Sequence, residues 1–197
     1  MTTLWLRTAL LPAGWANHVR IEVSAGRIAS VQSDSDRQPE DEGYEIGLPG
    51  FCNVHCHAFQ RGMAGLAEHR GPGDDDFWSW RDVMYRFLDH LDPDDVEAIA
   101  AMAYVEMLET GYTRVGEFHY LHNDANGHRY DNPAEMAERI FAAADSSGIG
   151  ITMLPVFYAH SDFGGAAPRQ GQRRFLNNLD SYAQLYSRIE AMLTRDS

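Results

Sequence analysis

The chain has 197 residues, 44% of them hydrophobic, and 29 Asp and Glu against 16 Lys and Arg give it a formal net charge of -13. Cations this few and scattered make nucleic acid a poor partner, while the apolar content suffices for one ordinary core and a small second domain. Cys52 and Cys56 alone do not describe a disulfide-stapled secreted domain, Arg7 and Pro12 interrupt the N-terminal apolar run before a signal-peptide core forms, and no window holds the ~18 apolar residues of a membrane span, so a cytoplasmic location without membrane contact is the expectation.

Residues 1–47 read as a small β-domain. Val19, Ile21 and Val23 alternate with polar neighbours, Ser24-Ala25-Gly26 supplies a turn, and Ile28 and Val31 resume the apolar pattern, which describes a hairpin. The stretch Gln38 to Gly43 reads as a polar loop, and the apolar residues from Ile46 to Phe51 begin a different kind of segment. Residues 48–197 then alternate between strand and helix.

The first strand covers Phe51 to Cys56 and leads into His55 and His57. Residues i and i+2 of a strand share a face, so the two imidazoles converge while Cys52 and Cys56 point the other way. That geometry disfavours a four-residue zinc knuckle and leaves half of a metal site, since zinc takes at least three protein ligands. A helix follows from Asp76 to His90, with Trp78, Val83, Phe87 and Leu91 on its apolar side. The next has Asp92 as N-cap, Pro93 at the first position, a stripe of Val96, Ile99, Ala103, Met107 and Leu108, and a stop at Gly111. A strand from Thr113 to Tyr120 precedes a helix capped by Asn132, with Glu135 as capping-box partner and Gly148 as its end. The almost wholly apolar run Ile151 to Tyr158 reads as a strand buried on both faces, and Leu179 to Leu193 as the last helix.

The order is therefore a β-domain followed by three strand-helix units, with polar residues gathered at the C-terminal ends of the strands, where parallel α/β folds carry their sites. Leu48-Pro-Gly-Phe followed by Asn53-x-His55-x-His57 resembles the first barrel strand of the amidohydrolase superfamily. The neighbouring stretches His57 to Glu68, Phe77 to Tyr85, Glu106 to Thr113 and Gly116 to His122 resemble the formimidoylglutamate deiminase family within it. The fold so implied is α/β, the N-terminal part of a (β/α)8 amidohydrolase barrel preceded by a small β-sandwich domain.

The resemblance implies zinc-dependent hydrolysis of N-formimino-L-glutamate to N-formyl-L-glutamate and ammonia, in histidine degradation. It makes His55 and His57 two ligands of one zinc ion and gives Gln60, Arg81 and Tyr120 contacts to the small-molecule substrate. These residue types suit a dicarboxylate, because a guanidinium fork matches a carboxylate while amide and phenol groups hydrogen-bond the remainder. Arg81 beside Trp78 and Trp80, after an Asp74-Asp75-Asp76 loop, suits a partly enclosed site. Glu117 reads as a holder of backbone or of a histidine rather than as a catalytic acid. The family's remaining ligands and acid/base residues lie on later barrel units, so this chain is expected to supply no catalytic acid or base, His119, His122 and His160 are not taken as the missing ligand, and the chain reads as the N-terminal portion of such an enzyme, inactive by itself and either poorly soluble or self-associating. Competing readings are a deaminase of the same superfamily acting on a purine, pyrimidine or triazine ring, against which the guanidinium argues, and a non-catalytic fragment that associates through an open sheet edge. Association into a homo-oligomer is left open.

Overall fold

The computed structural model describes residues 2–68 and 76–193. Asp74 and Asp75 of the acidic loop expected before the first helix lie outside the described residues. Contacts divide the chain into two compact units, with the boundary along the sequence between Gly50 and Phe51.

The first unit is a four-stranded sheet with strand order β3-β2-β1-β4, built from β1 (Thr2–Leu11), β2 (Gly14–Ser24), β3 (Arg27–Gln32) and β4 (Glu42–Gly47). The expected hairpin is β2 and β3, turned by Ala25 and Gly26 with φ of 50° and 72°, the left-handed pair that matches the twist of the strands it joins. Leu6, Ala9 and Val19 form its buried cluster, with Leu6 and Val19 directly paired across β1 and β2. The polar loop expected over Gln38 to Gly43 ends earlier, and Ile46 belongs to this sheet rather than to the following segment, because β4 pairs parallel with β1 from Leu4–Glu42 to Ala9–Gly47. Asp41, just before β4, is buried with its carboxylate on Arg20 Nε at 3.1 and 3.2 Å.

The second unit has a three-stranded parallel sheet, order β5-β6-β7, from β5 (Phe51–Cys56), β6 (Tyr112–His119) and β7 (Gly150–Pro155). Helices α1 (Phe77–Leu88) and α2 (Pro93–Glu109) follow β5, α3 (Glu135–Ser147) follows β6 and α4 (Leu179–Leu193) follows β7, consistent with the opening units of a (β/α) barrel. Asp92 caps α2 in a capping box with Asp95, and Pro93 follows at the first helical position, so the local signal and the observed start agree. Val96, Ala100, Ala103 and Tyr104 are its buried residues, and they join Leu88, Val115, Met136 and Ile140 in one core. Each fully buried large apolar side chain there contributes about 1.5–3 kcal/mol.

Three expectations need correction. The apolar face of α1 is Met84 and Leu88, whereas Trp78 is half exposed, because the buried stripe runs at spacing of four residues and Trp78 falls beside it. Helix α3 begins at Glu135 without a side-chain cap; the Asn132 side chain instead accepts the Ala134 N–H in the turn before it. Strand β7 ends at Pro155, with Tyr158 in a separate bridge to Leu176, and it is not buried on both faces: Thr152 is exposed, as are Phe51 and Val54 on β5.

Candidate functional site

Parallel strands align their C-terminal ends, so the residues after β5, β6 and β7 share one end of the sheet. Strand β5 delivers His55 and His57 there, their Nε2 atoms 3.0 Å apart and their rings nearly perpendicular at 89°. His57 Nδ1 lies 2.7 Å from the Phe118 carbonyl oxygen, an atom that only accepts, so Nδ1 carries the proton and Nε2 of the neutral ring keeps its lone pair toward His55. Burial lowers the His57 pKa, opposed by that carbonyl contact and helped by neighbouring His55, which favours the neutral, ligating form. The His55 ring stacks on Phe118 with centroids 4.5 Å apart, and its backbone N–H donates to the Asn53 side chain at 3.2 Å.

Two nitrogens on one zinc ion, with bonds of about 2.0–2.1 Å each, stand at most about 4 Å apart, so the observed spacing and tautomer fit a shared metal ion. No group of three or more His, Cys, Asp or Glu side chains in a metal-holding arrangement occurs among the described residues. His119, His122 and His160 therefore do not extend the pair. His119 and His122 are buried against each other, ring centroids 5.2 Å apart, with His122 Nε2 on the Val156 carbonyl at 3.0 Å.

Immediately after His57 the chain forms a short 3-10 segment, Ala58–Met63, anchored by buried Ala58, Phe59 and Met63 and tied to α2 by a two-bond ion pair of Arg61 with Glu106 at 2.6 and 2.7 Å. Sequence patterning did not reveal this segment, yet it fixes Gln60. The Gln60 side-chain N–H donates to the Tyr120 hydroxyl at 2.8 Å, and the Tyr120 ring packs against His57 (4.7 Å), Phe59 (5.3 Å) and Phe175 (4.8 Å). Burial raises the Tyr120 pKa, keeping the phenol protonated. His55, His57, Gln60 and Tyr120 thus form one contiguous group.

Arg81 stands apart from that group. Its guanidinium lies 4.4 Å above the Trp78 ring and 5.6 Å from the Tyr85 ring, and among the described residues no carboxylate pairs with it and no hydrogen bond joins it to the histidines, Gln60 or Tyr120. The link is indirect, through Met84 on the same helix, whose sulfur is 3.9 Å from Gln60 Nε2 and 3.8 Å from Tyr120 Oη. A further polar pair escaped the sequence reading. Fully buried Gln172 accepts the Arg169 backbone N–H through its side-chain oxygen at 2.7 Å and donates to the Tyr158 hydroxyl at 2.7 Å, from a segment with no periodic pattern to announce it.

Comparison with known proteins adds independent information. Residues 1–44 match the model described as formimidoylglutamate deiminase HutF, N-terminal domain, and residues 46–191 match that of the amidohydrolase family. A formimidoylglutamate deiminase of Pseudomonas aeruginosa is 47% identical over 194 residues, 98% of this chain and 43% of the relative. A crystal structure of an amidohydrolase from Brucella melitensis superposes with a TM-score of 0.92 at 51% identity, over 100% of this chain and 44% of that one. The atrazine chlorohydrolase TrzN of Arthrobacter aurescens TC1, crystallised with zinc, shares the fold at a TM-score of 0.70 and 16% identity, over 93% of this chain and 41% of that one. The chain spans less than half the length of these relatives.

Proposed function

From the premise that this chain belongs to the amidohydrolase family, we propose that it supplies two metal ligands and part of the substrate-contact surface of a hydrolase that converts N-formimino-L-glutamate to N-formyl-L-glutamate and ammonia. The observation that carries this reading is the convergence of His55 and His57 Nε2 at 3.0 Å beside the Gln60–Tyr120 pair. His55 and His57 would hold zinc, which when bound supplies Lewis acidity and lowers the pKa of a water to about 7.

The chain's own residues do the orienting. The Phe118 carbonyl holds the His57 proton on Nδ1 and so keeps Nε2 available. Tyr120 accepts from Gln60 and turns its own O–H to the Met84 sulfur at 3.8 Å, a weak acceptor that a polar atom of the substrate would displace. Arg81, stacked on Trp78 and without a described carboxylate partner, offers its fork to a substrate carboxylate. A neutral ring substrate has no use for that fork, which favours a linear dicarboxylate over the purine, pyrimidine or triazine alternative. No proton donor to departing ammonia is assigned to this chain.

The test splices this chain in place of the matching part of the Pseudomonas relative and measures zinc content and ammonia release. Zinc-dependent release from N-formimino-L-glutamate, with none from ring amines and none from the 197-residue chain alone, is the expected result. Release from ring amines in preference to the linear amidine would refute the substrate, and turnover without bound metal would refute the role of the histidine pair.

A further inference from the structure

Strand β5 does not run regularly into its histidines. Asn53 faces Val115 on β6, but the next matched pair is Cys56 with Glu117, so three steps on β5 oppose two on β6. Such a bulge redirects side chains and loosens the ladder, and here it falls at Val54 and His55. Gly116 opposite accommodates it: a Cβ at that position would stand 3.2 Å from the Val54 carbonyl oxygen. A loosened strand needs another constraint to define where His57 stands.

Glu117 is at the right place to provide it. Its carboxylate is buried, a costly state for a charge unless hydrogen bonds repay it. One oxygen accepts the Ala58 backbone N–H at 2.9 Å, and the other accepts the Tyr104 hydroxyl of α2 at 3.2 Å. On β5, Cys56 is the register partner of Glu117. The residue that follows His57 is therefore held by a buried carboxylate, which is in turn held by a fully buried tyrosine.

We infer that Glu117 is a positioning residue for the histidine pair: by gripping the Ala58 N–H it fixes the strand exit after the bulge, and with it the His57 ring on the Phe118 carbonyl. An apolar residue would fill the same space without binding the backbone. The inference deepens the metal reading and rests on it only for its consequence, not for the positioning itself.

The test uses the 197-residue chain and the variants Glu117→Ala, Glu117→Gln and Tyr104→Phe. Amide exchange at Ala58 and the His57 Nδ1–H resonance are followed by NMR, and zinc binding by competition with a chelator in the spliced enzyme carrying the same substitutions. Glu117→Ala is expected to speed Ala58 exchange by about tenfold or more relative to the other core amides and to broaden the His57 signal, Glu117→Gln to restore both because its amide oxygen still accepts, and Tyr104→Phe to speed Ala58 exchange by roughly threefold. Zinc affinity should fall roughly 10- to 100-fold in Glu117→Ala, with the glutamine variant near the parent. Unchanged Ala58 exchange and an unchanged His57 signal in Glu117→Ala would overturn the inference; if that variant does not fold, unchanged Ala58 exchange in Tyr104→Phe does so. Local loosening together with a spliced parent enzyme that binds no zinc would leave the positioning intact and refute the metal reading instead.

Discussion

Replacing Arg81 by lysine separates charge from shape at the residue proposed to meet a substrate carboxylate. The guanidinium carbon stands 4.4 Å from the Trp78 ring, which is 50% exposed, so the stack is worth about 0.5–1 kcal/mol and lysine keeps part of it. Folding stability should therefore drop by less than about 1 kcal/mol. The fork is a larger matter, because hydrogen bonds to charged groups contribute about 1.5–3 kcal/mol and the ammonium cannot reproduce a paired contact. At 1.36 kcal/mol per decade, kcat/KM for N-formimino-L-glutamate should fall roughly 10- to 150-fold. Ammonia release by the spliced enzyme gives the kinetic number, and urea unfolding of the same protein gives the stability. An unchanged kcat/KM would remove Arg81 from the site; a loss accompanied by several kcal/mol of destabilisation would show that the residue acts on the fold.

In the spliced enzyme, His55→Ala and His57→Ala should each abolish turnover and strip zinc, measured by metal analysis after gel filtration, since loss of one of few ligands disturbs retention of the whole site; stoichiometric zinc with normal turnover in either variant would disprove the assignment. Burial pushes the His122 pKa down to about 4, with a weaker opposing effect of the Val156 carbonyl, against about 6.5 in an unfolded chain. The unfolded state then binds the proton first, so this residue's contribution is fully present above about pH 6.5 and is lost as pH falls toward 4, by about 3 kcal/mol, with His119, driven well below its ordinary range by burial, acting in the same direction. Urea midpoints measured between these pH values check it, and a flat profile would contradict it. Arg174, buried among the carbonyls of Asn123, Leu88 and Leu91, donates to all three, so Arg174→Leu should cost about 3–5 kcal/mol in the same assay. Arg173→Ala, which loses the pair with Asp89 and the donations to the Ala125 and Gln170 carbonyls, should cost about 1–3 kcal/mol.

Sequence alone determined what depends on neighbours along the chain. The Asp92-Pro93 start of α2, the Ala25-Gly26 turn, the Gly148 end of α3 and the run from Leu179 to Leu193 were legible because caps, turn residues and apolar periods act over a few residues. The i and i+2 rule likewise put both imidazoles on one side of β5, and the motifs around them pointed to the amidohydrolase family that the comparisons found. Only the tertiary structure decided the rest. That Gln60 meets Tyr120, that Phe118 orients His57 and that Arg81 lies outside their hydrogen-bonded group depend on contacts across some 60 residues of sequence or on a helix face set by packing, and no local pattern records them. The bulge in β5 is of the same kind: the sequence shows a glutamate and a glycine side by side, but why one admits the strand and the other holds it follows from the register against β6, a property of two strands together.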